Sequence, residues 1–310
     1  MNKSMKKYTA LLVGALLGVI CTTGCQRKSG ETAPHATQQT FATPEDAGQA
    51  LLAASQDNNE KALAQILGSD AHAVLRSGDT AEDKAALASF VTMYDRMNRW
   101  VTMTDGSRTL YIGADNYPYP IPLVRNSSSR WYFDTEAGKD EILARRIGRN
   151  ELLAIDAVYA MGYAEALYCA TDGEYTQLIL STPGQRDGLY WEVRPNEPSS
   201  PLGRLNKFAN ETVATTLPGF PPVFDGYSFR ILSAQGDQAR DGEKSYVKNG
   251  KMTDGFAIVA TPVTYGDSGI MTFLLGRDGV VYQKDLGAKT TEVAASINTY
   301  NPDRGWTQAE

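Results

Sequence analysis

The sequence predicts an α+β fold in two parts: N-terminal helices with an antiparallel sheet, then a long helix packed on a C-terminal antiparallel meander. Three observations predict it. Apolar residues recur at helical spacing up to about Met97, and short alternating runs replace them as far as Phe133. A second helical stretch, from about Glu136 to Ala170, then leads through a turn-rich segment to four short strands between Gly226 and Gly287, each opened by glycine. With 310 residues, 42% of them hydrophobic and 21% charged, the chain can bury a sizeable core and is long enough for two domains.

The first helix is signalled by Thr43 as a cap, Pro44 at the first helical position and the acids Glu45 and Asp46, followed by Ala47, Ala50, Leu51 and Leu52. Asp57 and Glu60 open a second helix carrying Leu63, Ile66 and Leu67 and stopped at Gly68. Thr80 and Asp83 open a third with Leu87, Phe90, Met93 and Tyr94. Trp100–Met103, Thr109–Ile112, Ile121–Arg125 and Arg130–Phe133 read as strands, separated by Asp105 and Gly106, by Pro118, Pro120 and Pro122, and by the polar run 126–129.

In the long helical stretch Leu152, Ile155, Tyr159, Gly162 and Ala166 follow 3-4-3-4 spacing. This face is expected against Phe229, Ile231, Phe256, Ile258 or Phe273 of the sheet. Gly148 weakens the helix by about 1 kcal/mol relative to alanine, which predicts a break near Ile147–Asn150, with Asn150 capping a new start. Residues 171–219 are rich in turn formers and carry the aromatic pair Tyr190 and Trp191. The meander reads as Gly226–Leu232, Gly255–Ala260, Gly269–Leu275 and Gly279–Asp285, with tight turns at Asn249-Gly250 and Arg277–Gly279, and a last helix runs from Thr290 to about Asn298. The implied organisation is a signal segment at 1–25, a tether at 26–40, and α+β modules at 41–137 and 138–310.

The N-terminus carries Lys3, Lys6 and Lys7 before an apolar run from about Ala10 to Cys21, shorter than the roughly 20 residues of a membrane span, and so reads as an export signal. Its end, Thr22–Cys25, resembles the lipobox of bacterial lipoproteins, although Thr22 stands where that motif prefers leucine. The resemblance implies a diacylated Cys25 as the mature N-terminus and, with Gln26 rather than aspartate following, sorting to the outer membrane with the body facing the periplasm. A plain secretory signal, giving a soluble periplasmic or secreted protein, is the alternative. Residues 26–40 are polar and too poor in apolar content to offset the entropy of ordering, so His35 is expected in a solvated tether.

Composition excludes several functions. Without the three leader lysines, 27 basic residues face 36 acidic ones, a formal charge of −9, which disfavours nucleic acid as a partner. Cys169 is the single cysteine outside the leader, so no disulfide framework is expected, and it reads as a small buried hydrophobe. Gly266–Gly269 spells the Gly-Asp-Ser-Gly of chymotrypsin-like nucleophiles, but His72 lacks that family's surroundings, and a turn is the better reading. No ligand-spaced cluster of His, Cys and carboxylates points to a metal, and Asp237, Asp241 and Glu243 read as a solvated acidic loop. No glycine-rich phosphate loop is present, and no cofactor is expected.

The most charge-dense stretch is Asp134–Glu151, in which Glu141 faces Arg145 at i, i+4. Arg146 and Arg149 beside Glu151 are the candidate residues for an anionic ligand or a partner's carboxylate. Intramolecular pairing of the helix with its neighbours is the competing reading. Tyr117 and Tyr119 among their prolines form either a carbohydrate or peptide platform or, by preference, a rigid edge packed on the sheet.

Helices followed by strands that close on Trp131–Asp134 resemble in their order a cone-shaped fold of the nuclear-transport-factor-2 type. The segments Tyr117–Leu123, Trp131–Thr135, Arg145–Glu151, Ser181–Trp191, Ser200–Gly203, Asn249–Met252, Met271–Phe273 and Lys284–Gly287 together resemble a bacterial exported family, domain of unknown function 2950. The likeness runs from about Phe41 onward and implies no established activity. The C-terminal half, a long helix followed by a meander, also looks like the soluble part of type IV pilin-like proteins.

Two functions are consistent with these features. The first is a non-catalytic envelope lipoprotein that binds an envelope protein or small ligand and meets the membrane through its lipid anchor. The alternative is a periplasmic-side hydrolase or isomerase using carboxylate and tyrosine acid–base chemistry in the N-terminal module, for which no catalytic residue is named; a pocket holding two carboxylates with shifted titration would mark it.

Overall fold

The computed structural model describes residues 38–68, 71–75, 80–193, 198–203 and 221–309, and the fold is of the α+β class expected from the sequence. The signal segment, Cys25, His35 and the tether up to residue 37 lie outside the described residues.

Capping fixes where the N-terminal helices start. In α1 (Pro44–Gln56) the Thr43 hydroxyl accepts the Asp46 N–H while the Asp46 carboxylate accepts the Thr43 N–H, a reciprocal box. α2 (Glu60–Leu67) is capped by Asn59 rather than Asp57 and stops at Gly68, whose φ of 83° suits glycine. A short helix absent from the expectations, α3 (Ala71–Leu75), precedes α4 (Thr80–Arg96). Five strands follow: β1 (Asn98–Thr102), β2 (Arg108–Ile112), β3 (Tyr117–Pro118), β4 (Leu123–Arg125) and β5 (Trp131–Phe133). They pair antiparallel in the order β1-β2-β4-β5, with β3 on β2. Leu51, Leu63, Ile66, Phe90, Leu110, Ile121 and Phe133 belong to the core between helices and sheet. Contacts begin before the expected start at Phe41, because Gln38 donates to the Ile66 and Phe133 carbonyls at 3.1 and 2.8 Å.

One helix, α5 (Thr135–Asp172), runs unbroken for 38 residues, about 57 Å at 1.5 Å per residue. Asp134 caps its start and Gly173, at φ 76°, its end. The expected break at Ile147–Asn150 is therefore absent. Gly148 weakens the helix by only about 1 kcal/mol, while packing grips it on both sides of that position. An added Cβ would lie 2.8 Å from Ile121 at Gly138 and 2.7 Å from Leu275 at Gly162. Residue 138, where the sequence places the start of the second module, lies inside this helix. Ile142 packs on the first core, whereas Ala154, Val158 and Met161 belong to a second.

The C-terminal strands are β6 (Val223–Phe224), β7 (Tyr227–Leu232), β8 (Ala234–Gln235), β9 (Lys244–Ser245), β10 (Val247–Lys248), β11 (Lys251–Met252), β12 (Ala257–Pro262), β13 (Met271–Gly276), β14 (Val281–Asp285) and β15 (Thr307–Gln308), with α6 (Thr290–Ala295) between the last two. The main sheet has the order β15-β14-β13-β12-β7-β6, so the four strands read from the sequence are consecutive antiparallel neighbours. Asn249 and Gly250, both at positive φ, form the turn between β10 and β11.

α5 packs on β12, β13 and β14 as expected, but largely through the other side of the helix. Leu152 and Tyr159 are 63% and 46% exposed, and of the expected face Ile155 packs on the sheet core and Gly162 meets Leu275. The buried side is Ala154, Ala157, Val158, Met161, Ala164 and Tyr168. Its small residues let the helix axis come close to the strands, which the bulk of Leu152 and Tyr159 would prevent.

Candidate functional site

A cleft of about 940 Å³ lies between α5 and the N-terminal helices. Leu63, Leu75, Leu87 and Phe90 from α2, α3 and α4 form its apolar side, together with Tyr119, Pro120 and Ile121. α5 contributes Ile142, Gly148, Leu152 and Leu153, and also Arg145, Arg146 and Arg149. The prolines of 118–122 hold the Tyr119 segment extended, and its N–H donates to the Leu110 carbonyl at 2.7 Å. The Tyr119 ring lies 5.4 Å from Phe90 and 6.2 Å from Phe133, and burial pushes its phenol well above the usual tyrosine range. Gly138 permits this arrangement, because any side chain there would meet the Ile121 backbone at 3.1 Å and the Pro120 carbonyl at 3.2 Å. At Gly148 an added Cβ would meet nothing within 4 Å, so this part of the α5 wall opens into space.

The structure divides the candidate residues Arg146, Arg149 and Glu151. Glu151 is turned to the sheet, where its Oε1 accepts the Ile270 and Met271 N–H groups at 2.9 and 3.0 Å. Asn150 donates to the Ser268 carbonyl at 2.9 Å, and Arg146 reaches the Asp267 carboxylate at 3.2 Å. These three helix residues clamp the turn that carries Gly-Asp-Ser-Gly. In that turn the Ser268 hydroxyl accepts the Thr264 N–H and donates to the Thr264 carbonyl, while His72 sits on α3, so a turn is what the tetrapeptide forms. Arg149 lines the cleft and touches Asn150 at 3.5 Å. Arg145 is tied to Glu141 at 2.7 Å and to the Pro118 carbonyl at 2.8 Å, and it covers the Tyr117 ring at 4.7 Å. Among the described residues three guanidinium groups thus line the cleft with one carboxylate, Asp83 of α4.

A smaller polar pocket of about 290 Å³ lies at the far end of the meander, among Arg240, Asp241, Lys244, Asp254, Arg277 and Asp278. Tyr246 and Tyr300 form its buried aromatic part, and burial, with the Asp278 charge next, pushes the Tyr246 phenol up to about 12. Its Asp254 is held below the usual carboxylate range by the hydrogen bond from Lys248. Of the acidic loop residues singled out in the sequence, Asp241 reaches this pocket. Cys169 is a free thiol on α5, half-buried rather than buried. Among the described residues no three His, Cys, Asp or Glu side chains gather as metal ligands.

Sequence reasoning missed the apolar part of the cleft. Leu87 and Phe90 stand at ordinary helical spacing, indistinguishable from residues that only fill a core. A usable signal was the proximity of two family-like segments: Tyr117–Leu123 and Arg145–Glu151 both contribute to the cleft.

No curated protein and no solved structure matches the chain. The likenesses to nuclear-transport-factor-2-type and pilin-type folds remain likenesses of element order. A family model described as Protein of unknown function (DUF2950) matches residues 38–309, a span that takes in every described residue, and the chain belongs to that family.

Proposed function

We propose that this protein is a lipid-anchored binding protein of the cell envelope, attached through Cys25 at the outer membrane and facing the periplasm, with the α4–α5 cleft as its ligand site. The cleft carries this reading. Its volume of about 940 Å³ falls within the roughly 300–1,000 Å³ of small-molecule sites, and a mostly apolar wall with a few placed charges is their usual composition. Binding rather than acid–base catalysis is supported by the described lining, in which Asp83 is the one carboxylate among the described residues, where paired-carboxylate chemistry needs two. The anchor is supported by the lipobox-like Thr22–Cys25 and by Gln26 after it.

Two experiments test the reading. The neutral fluorophore N-phenyl-1-naphthylamine is expected to brighten on the wild-type protein and to bind at least tenfold more weakly to Gly148→Trp, which fills the cleft; equal binding by both would remove the cleft from consideration. Cys25→Ser is expected to move the protein from the membrane to the soluble fraction, and an unchanged fraction and gel mobility would refute the anchor.

A further inference from the structure

We propose that the cleft takes a fatty carboxylate, a single acyl chain lying along Leu87, Phe90 and Leu152 with its head group held by Arg146 and Arg149; this rests on the reading of the cleft as the ligand site. The lining is asymmetric in charge. Among the described residues its cations come from one turn of α5, Arg145 to Arg149, whereas the described lining residues that α2, α3 and α4 contribute are apolar apart from Asp83. A ligand complementary to both is apolar along its length and anionic at one end.

The arginines are not equivalent. Arg145 is committed to Glu141, Pro118 and Tyr117 and serves as structure. Arg146 holds a single carboxylate oxygen of Asp267 at 3.2 Å, and that aspartate is 58% exposed. An exposed pair of this kind contributes about 0–1 kcal/mol, so an incoming carboxylate can displace or share it. The group that Arg146 already holds is a carboxylate, and a guanidinium fork matches that group with two parallel hydrogen bonds. Gly148 lies between Arg146 and Arg149 and leaves open space beside them, where the start of an acyl chain fits without displacing protein atoms.

The test is displacement of N-phenyl-1-naphthylamine from the full-length protein by dodecanoate and by dodecanol, which share the chain and differ in the head. Dodecanoate is expected to compete at a concentration at least tenfold lower, with the gap narrowing as salt is raised. Arg146→Gln with Arg149→Gln is expected to abolish the gap, read as the ratio of the two competing concentrations on the same variant protein. Equal competition by acid and alcohol on the wild type, a comparison that needs no variant to fold, would overturn the fatty-carboxylate assignment and leave the cleft as an apolar site. Failure of the fluorophore to bind, or binding unaffected by Gly148→Trp, would instead overturn the underlying reading.

Discussion

Glu165 offers the sharpest test of how α5 is seated on the sheet. The side chain is 0% exposed; its Oε2 accepts the Thr176 N–H at 3.1 Å, and its Oε1 has no hydrogen-bond partner among the described residues. Burial raises its pKa from 4.5 to about 8, against the smaller opposing pull of the Thr176 N–H. The folded chain therefore holds this proton between those two values and the unfolded chain does not. Stability from this group is full below about pH 4.5, falls as pH rises, and is flat above about 8. At about 1.4 kcal/mol per pH unit, the loss amounts to about 4–5 kcal/mol over the window. Glu165→Gln removes the titration while keeping an acceptor for Thr176. Its extra amide donor adds an offset that is the same at every pH. Urea unfolding of both proteins should show the variant gaining on the wild type by about 3–5 kcal/mol between pH 5 and pH 8. Parallel pH profiles would refute the reasoning, since they would mean that Glu165 titrates alike in both states.

Further substitutions separate packing from function along the same helix. Gly138→Ala should destabilise by about 1–3 kcal/mol, because its Cβ would meet the Ile121 and Pro120 backbone, whereas Gly148→Ala, facing open space, should stabilise by about 0.5–1 kcal/mol; thermal unfolding with shifts of the same sign would contradict the placement of one of the two glycines. Glu151→Ala should cost about 2–3 kcal/mol by stranding the Ile270 and Met271 N–H groups, with Glu151→Gln recovering about half, as read by denaturant unfolding. Arg146→Gln should cost less than about 1 kcal/mol, because its pair with the exposed Asp267 adds little to the hold that Asn150 and Glu151 have on the same turn.

The sequence made the capped and alternating elements legible. Thr43 and Asp46 cap a helix because that residue spacing lets each side chain reach the other's backbone N–H, and the meander strands are marked by glycines and short apolar runs. The seating of α5 was hidden because this helix has apolar residues on two sides. Counting by size favours Leu152 and Tyr159, while close approach to a sheet favours Ala154, Ala157 and Ala164. Its continuity was hidden because Gly148 is a local penalty and the contacts at Gly138 and Gly162 are tertiary. Charge density pointed to Asp134–Glu151 and within it to Arg146, Arg149 and Glu151, yet the helical turn sends Arg146 and Arg149 to the cleft and Glu151 to the β13 backbone, a division that needs the sheet's position.

Amide hydrogen exchange of the full-length protein with and without saturating dodecanoate locates the ligand site. With the ligand in the α4–α5 cleft, exchange slows in α4 around Phe90 and in α5 from Arg145 to Leu153, with β12 and β13 unchanged. Slowing confined to the polar pocket around Tyr246 and Tyr300, or none at all, would contradict that location.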